Sequence, residues 1–445
     1  MELIRFGNAD PPLRWIGHTT RYRGGSEQFA RVAATLEARL SAQYPGEAIV
    51  REALESKADF VAAMGRLERA GVRLTELHFI GHSGMYGVMF GSTDWPEQLS
   101  PHEWRTLSIP FASGASAYFH ACRTARWFAP FFARTFGVRT HGYQDYTSFS
   151  RNAERFVFER RGSTAQGPLH VVSVPGRKSH GIAASLRKYA LRPRVEPMQA
   201  FAPGPAPSGG YDEVAALYDR AFTDIRRRRA EWRWLETQLE RAFPADGPRP
   251  RALDIGCGNG ALLDALAPRI AGGVGVDVSR GMLEQARKRA ARQPKLSFTA
   301  IDGPTLPFAA ATFDVVTCFL SFRYLDWDPL LAEIRRVLAP GGRLLIVDMV
   351  EKPLSFADAK LGVPSLARHL LARVRDRPFI GDLAALTAHP DWERMLTHHP
   401  MRALHEYRWY LESRFPGQKL QTLTVGRRAR LVAFDSGPVG GRARP

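Results

Sequence analysis

Three cysteines in 445 residues, Cys122, Cys257 and Cys318, are too few and too scattered for a disulfide framework or a Cys-x-x-Cys zinc site. Such scarcity fits a reducing compartment and gives no metal site. No apolar run reaches the roughly 18 residues that a membrane span needs, and the opening MELIRFGNADPP lacks a basic-then-apolar leader pattern. The expectation is a soluble, cytoplasmic protein with no membrane partner. Lysine is also scarce: 8 of 62 basic residues, leaving 54 arginines, a bias expected of a G+C-rich bacterial coding source. There is no concentrated basic arm either. The formal net charge is +18, but residues 1–210 and 211–445 carry +9 each, and no RNA-binding module is recognisable, so nucleic acid is an unlikely partner.

What is present is an ordinary globular composition, with 44% hydrophobic and 24% charged residues, on a chain long enough for two or three cored domains. Its clearest break is RPRVEPMQAFAPGPAPSGG, residues 192–210, where five prolines and three glycines leave little scope for helix or ladder hydrogen bonds. The segment reads as a linker between a domain of residues 1–191 and another of residues 211–445. Both alternate short apolar runs with amphipathic stretches, which implies α/β units with largely parallel sheets.

After the linker, RALDIGCGNGALLDALA passes from a short strand through Asp254, Gly256, Cys257, Gly258, Asn259 and Gly260 into a helix. Alternate glycines let the backbone turn tightly and lie against a ligand. GGVGVDVS then gives a second strand ending in Asp277, a carboxylate suited to ribose hydroxyls, and LSFTAIDG a third strand followed by Asp302 and Gly303. LPF, FDVV and EIRRVLAPGGRLLIVDM complete the series. The spacing is not the Gly-x-Gly-x-x-Gly of a dinucleotide dehydrogenase.

This ordered set makes residues 211–437 resemble the class I S-adenosylmethionine (SAM)-dependent methyltransferases, in the small-molecule group that includes the ubiquinone and menaquinone methyltransferases. The resemblance implies SAM as cofactor and a small-molecule methyl acceptor. It implies that Asp254, Gly256, Gly258 and Gly260 lie beneath the methionine portion, that Asp277 holds the ribose, and that Asp302 and Gly303 meet the adenine. Tyr211 and Tyr218 match the tyrosines of a helix that closes over the cofactor; Cys257, within the loop, and Cys318 are expected to pack. Many relatives carry a histidine pair after the fourth strand. Here those positions are Arg323 and Tyr324, a departure that suits an anionic acceptor or, equally, local pairing. Residues 351–416 match a variable substrate cover, rich in aromatics and histidines that include Trp392, His398, His399 and Tyr407. The run Arg226–Arg229 is expected on a solvated helix face. No Asn/Asp-Pro-Pro-Tyr base-methylation motif occurs.

The N-terminal domain holds HFIGHSGMYGVMFG, residues 78–91, in which Gly81-His82-Ser83-Gly84 looks like a serine nucleophile turn. That turn needs glycine two residues after the serine, and Met85 stands there. A strand ending near His82, then the strand SAYFHAC ending at Cys122, resembles the caspase and gingipain fold, including the bacterial CHAT domains. The resemblance implies a His82/Cys122 dyad at neighbouring strand ends, and a peptide or protein partner. Ser83 departs from the usual His-Gly. His120 and His141 are read as structural. The expectation is an α/β protein: a Rossmann-like class I methyltransferase domain preceded by a second, caspase-like α/β domain, with a cysteine peptidase regulated by a SAM-binding domain as the alternative.

Overall fold

The computed structural model describes residues 13–21, 24–84, 86–91, 96–157, 166–174, 194–205, 210–352, 377–398, 401–426 and 429–440. They belong to two compact units, Met1–Ala206 and Pro207–Pro445. His399 and residues 353–376 of the expected cover, with Met85 and parts of the expected linker, lie outside the described residues, as does the side chain of His398.

In the first unit, strands β1 (Leu13–Thr19), β2 (Ala48–Leu54), β3 (Leu74–Ile80), β7 (Phe111–His120) and β8 (Arg139–Gly142) are parallel; β11 (Gln199–Phe201) closes the sheet antiparallel. Their spatial order is β11-β8-β7-β3-β1-β2. Helices α1 (Ser26–Gln43), α2 (Lys57–Arg69), α3 (Pro101–Thr106) and α4 (Phe128–Phe136) connect them, and two small antiparallel sheets are added: β4 (His82–Gly84), β5 (Gly87–Gly91) and β6 (Pro96–Gln98); β9 (Thr147–Ser150) and β10 (His170–Ser173). Helix α2 starts where Ser56 and Asp59 cap each other's backbone amides, at 3.2 and 2.9 Å.

Strand alternation gives this sheet two unlike faces. Trp15, Leu77, Phe79 and Phe119 point into an aromatic core with Phe60, Phe128 and Phe132. On the other face Ile16 and Ile80 meet Phe29, Leu36 and Leu40 of α1, but Arg14, Glu76, His78, Tyr118 and His120 alternate in the same rows.

One sequence expectation fails here. Gln199–Phe201, placed in the linker, pairs with Thr140–Gly142 as β11. The prolines flank this tripeptide without entering it, and a sheet edge tolerates so short a strand.

The second unit contains α5 (Tyr211–Ala221), α6 (Arg229–Ala242), β12 (Arg251–Ile255), α7 (Ala261–Leu266), β13 (Gly272–Asp277), α8 (Arg280–Ala290) and β14 (Leu296–Ala300). It continues with β15 (Phe313–Phe319), α9 (Trp327–Val337), β16 (Leu338–Glu351), α10 (Arg377–Thr387), α11 (Pro390–His398), α12 (Leu404–Arg414), β17 (Gln421–Val425) and β18 (Ala429–Asp435). The sheet order is β14-β13-β12-β15-β16-β18-β17, parallel through β16, with β18 and β17 antiparallel. Chain order reverses between β12 and β15, so the crevice beyond their carboxyl ends is where such a sheet binds ligands. Leu253, Ile255, Val316 and Ile346 are buried on the central strands; each such side chain contributes about 1.5–3 kcal/mol.

The arginine run also departs from expectation. Ile225–Arg227 form a single 3-10 turn between α5 and α6, and the Arg228 guanidinium lies 4.1 Å from the centre of the Phe222 ring, so the run is a helix junction rather than a helix face. Among the described residues no helix is long and apolar enough to cross a membrane.

Candidate functional site

The loop after β12 turns through Gly256, Gly258 and Gly260, all left-handed, with φ of 69°, 53° and 74°. At Gly256 a Cβ would stand 2.4 Å from the Ser321 Cβ, and at Gly260 2.8 Å from the Phe298 ring. Neither position has room for a side chain, whatever its conformation. The Cys257 side chain is buried in the core with Leu263 and Phe298, and burial pushes its thiol well up. Cys318 is fully buried as well.

Asp277, at the end of β13, faces this loop: the Gly258 amide donates to its Oδ2 at 2.8 Å and the Ser279 amide to its Oδ1 at 2.9 Å. Burial raises its carboxyl against those two bonds. Asp254 is buried beneath the loop and accepts from the Thr317 hydroxyl at 2.6 Å; burial lifts its carboxyl to about 7. Asp302 is exposed two residues beyond β14, beside half-buried Gly303.

Helix α5 lies over the loop, held there by polar anchors. Asn259, buried within the glycine run, donates through Nδ2 to Asp219 at 2.9 Å and to the Phe222 carbonyl at 3.2 Å. Arg289 of α8 pairs with the same Asp219 at 2.6 Å, and Asp212 accepts from Ser279 Oγ and the Gly281 amide, both at 2.7 Å. These contacts present Tyr211 and Tyr218 to the crevice. Trp392 of α11 packs on both rings, and Leu386 and Phe379 of α10 join the same cluster, so the described part of the cover rests on α5.

Arg323 and Tyr324 follow β15 on one 3-10 turn, entered through Leu320 in the left-handed region at φ 64°. Ser321 donates to the Ile255 carbonyl at 2.6 Å, which seats this turn against the glycine loop. Asp348, fully buried on β16, accepts from the Arg323 amide at 2.7 Å, from its guanidinium at 2.5 Å, and from the Tyr407 hydroxyl at 2.6 Å. Burial alone would weaken the Arg323 charge, but Tyr324 and Asp348 hold it firmly protonated. Tyr211 and Tyr324 share a hydroxyl–hydroxyl bond of 2.9 Å, and burial raises the Tyr211 phenol well above its usual range. The crevice thus joins a glycine cradle, two buried carboxylates, an aromatic cover and a fixed cation flanked by phenols.

Sequence reasoning brought Tyr211, Tyr218, Asp254, Asp277, Arg323 and Tyr324 to this crevice, where they converge. It missed Asn259, Thr317, Ser321 and Asp348 as site residues. A lone aspartate inside the apolar run LLIVDMV was the available signal for Asp348.

In the first unit, His82 opens β4 and Cys122 lies just beyond β7, whose neighbour is β3. Ser83 Oγ donates to the Cys122 carbonyl, which ties the two strand ends together. His82 Nε2 meets the Gly24 carbonyl at 3.1 Å, and Cys122 Sγ accepts from the Thr147 amide at 3.3 Å and meets its hydroxyl at 3.2 Å. Arg123 is left-handed, at φ 58°. Among the described residues no group of three or more His, Cys, Asp or Glu side chains is arranged to hold a metal ion.

A family model described as a methyltransferase domain matches residues 253–346. The demethylmenaquinone methyltransferase of Clavibacter sepedonicus is 29% identical over 248 residues, covering 54% of this chain and 93% of its own length. The ubiquinone/menaquinone biosynthesis C-methyltransferase UbiE of Desulfotalea psychrophila is 33% identical over 179 residues, covering 38% of this chain and 71% of its own. The demethylmenaquinone methyltransferase of Thermus thermophilus is 35% identical over 147 residues, covering 32% and 66%.

Proposed function

The chain belongs, through its C-terminal unit, to the class I SAM-dependent methyltransferases, and we propose that its acceptor is a small acidic molecule of the phenol or quinol class. SAM supplies a methyl group on a sulfonium, an electrophile that needs no further activation. We assign the loop of Asp254, Gly256, Cys257, Gly258 and Gly260 to its methionine portion, Asp277 to the ribose, Asp302 and Gly303 to the adenine, and Tyr211 and Tyr218 to closure above it. The glycine cradle and the half-buried Asp277 beside it fit such a ligand.

The task left to the protein is to align the acceptor and exclude water. Arg323 carries the acceptor reading. Its guanidinium is locked by Asp348 and lies 4.4 Å over the Tyr324 ring, a cation that favours the deprotonated acceptor. The acceptor proton passes to solvent, and Tyr211, kept protonated, donates to the acceptor oxygen through the Tyr324 pair. The names of the quinone-related relatives agree with this class.

Incubating the protein with labelled SAM and a panel of phenols and naphthoquinols, followed by mass spectrometry, tests the reading. Methylation of a quinol or phenol is expected, with kcat about 100-fold lower in Arg323→Met and SAM affinity unchanged. An Arg323→Met variant that turns over at the wild-type rate would remove Arg323 from the chemistry.

For the first unit we propose a caspase-like accessory domain rather than a working peptidase. Its support is the placement of His82 and Cys122 beyond neighbouring strands while each functional group is engaged by another partner. Labelling of Cys122 by an electrophilic peptide, lost in His82→Ala, would establish the peptidase instead.

A further inference from the structure

The first unit holds a cavity of about 340 Å³ between α1 and the sheet, within the size range of small-molecule sites. Its floor is the polar face of β3 and β7. Residues of those central strands ordinarily pack apolar surface, and burying polar groups there costs stability unless they are satisfied or used. Here His78 Nε2 meets Glu76 at 3.0 Å, and His78 Nδ1 meets His120 Nε2 at 3.2 Å. Tyr118 stacks between His78 and His141, at 4.6 and 4.3 Å between ring centres.

The chemistry of this chain fixes its tautomers. An ionised carboxylate only accepts, so His78 Nε2 carries the hydrogen. Neutral His78 then accepts at Nδ1 from the Nε2 hydrogen of His120. His120 is left with a lone pair on Nδ1, which has no partner among the described residues. That nitrogen is an acceptor on a half-buried residue of the cavity lining.

The rim supplies the opposite requirement. Arg14 is committed to Glu47 and Glu76, at 2.9 and 3.7 Å. Arg39 lines the cavity and has no hydrogen bond or ion pair among the described residues. Burial first, and the Arg39 charge after it, oppose protonation of His78, His120 and His170, and the same charge bears on Glu76. Val32, Leu36, Leu40 and Leu169 make up the apolar walls.

We infer that this cavity binds a small hydroxylated organic acid, its carboxylate paired with Arg39, its hydroxyl donating to His120 Nδ1 and its apolar body against α1. The site is separate from the methyl-transfer crevice and assigns the first unit a recognition role. The inference does not rest on the acceptor proposed above.

Calorimetric titration of the full-length protein with 4-hydroxyphenylacetate tests it, alongside phenylacetate, which lacks the hydroxyl, and 4-hydroxyphenethyl alcohol, which lacks the charge. Saturable binding is expected for the hydroxy acid, about tenfold weaker for either analogue, and about tenfold weaker again in Arg39→Gln and His120→Phe. Unchanged circular dichroism and amide-exchange protection of β3 and β7 in both variants report an intact first unit, and exposed Arg39 is a safe position if His120→Phe fails to fold. Equal binding to wild type and Arg39→Gln overturns the inference, as does loss of binding in Arg323→Met instead. Failure of 4-hydroxyphenylacetate, mandelate and 3-hydroxybenzoate alike to bind also overturns it.

Discussion

Asp277 and Asp254 do different work: the first is half-buried at the loop, the second fully buried beneath it. Asp277 accepts two amides, one of them from the loop it faces, so its removal takes away a loop contact together with the proposed ribose contact. Asp277→Ala is expected to weaken SAM binding at least about 100-fold by calorimetry, and unchanged affinity would displace the ribose assignment. Asp254 governs pH dependence. Burial raises its carboxyl from 3.8 to about 7, so across that window the folded protein holds a proton that the unfolded chain has lost. Stability without ligand therefore falls as pH rises from about 4 to about 7 and is level, for this group, above it. A cation bound beside Asp254 favours the ionised form. SAM binding at pH 6 should release protons, measured as a dependence of the titration heat on buffer ionisation, and Asp254→Asn should reduce the release. The glycines, Asp254 and Asp277 were legible in sequence because they lie within 24 positions of one another, in register with a strand–loop–helix pattern. The trio of Arg323, Asp348 and Tyr407 was not, because Asp348 lies 25 positions from Arg323 and 59 from Tyr407 and only folding joins them.

Helix α5 lies over the glycine loop and carries Tyr211 and Tyr218, to which closure is assigned above. Besides its buried Val214, Ala215 and Ala221, its anchors are polar side chains of the loop, of α8 and of the residue capping α8: Asn259, Arg289 and Ser279 each reach one of its acidic residues. Asn259→Ala leaves the Phe222 carbonyl without that bond and costs about 1–2 kcal/mol. Faster amide exchange in Tyr211–Ala221 and a three- to tenfold loss of SAM affinity are expected, with β12 to β16 exchanging as before. Loss of protection throughout the sheet would instead mean that Asn259 supports the whole unit. The elements themselves were largely readable, since strand and helix periodicities alternate cleanly. Residues 211–243 keep apolar residues at helical spacing throughout, yet form two helices, because the 3-10 turn at Ile225–Arg227 interrupts the run. In β3 the alternation of Glu76 and His78 with Leu77 and Phe79 looks the same whether the polar face meets water or a cavity.

At the scale of the molecule, the charge is large but evenly divided, +9 on each side of residue 210. Many arginines are spent internally, as in Arg14 with Glu47 and Glu76, Arg289 with Asp219, and Arg414 with Asp328. An even, partly paired charge gives weak attraction to polyanions without a track. Filter binding to a 20-nucleotide polyuridine should show a log–log salt slope shallower than about −3; a slope of −6 or steeper would reveal a dedicated path for a nucleic acid backbone.

The missing methyl group at Gly256 has a kinetic meaning. Ser321 Cβ stands 2.4 Å from the place a Cβ would take, so the glycine loop and the turn bearing Arg323 and Tyr324 touch with no room for one more carbon atom. Displacement at a methyl carbon is steep in the separation and angle of the reacting atoms. On the proposed placement of donor and acceptor, this contact is a gauge block: it sets how far the nucleophile must travel and ties the reach of the reaction to the close fit of two backbones.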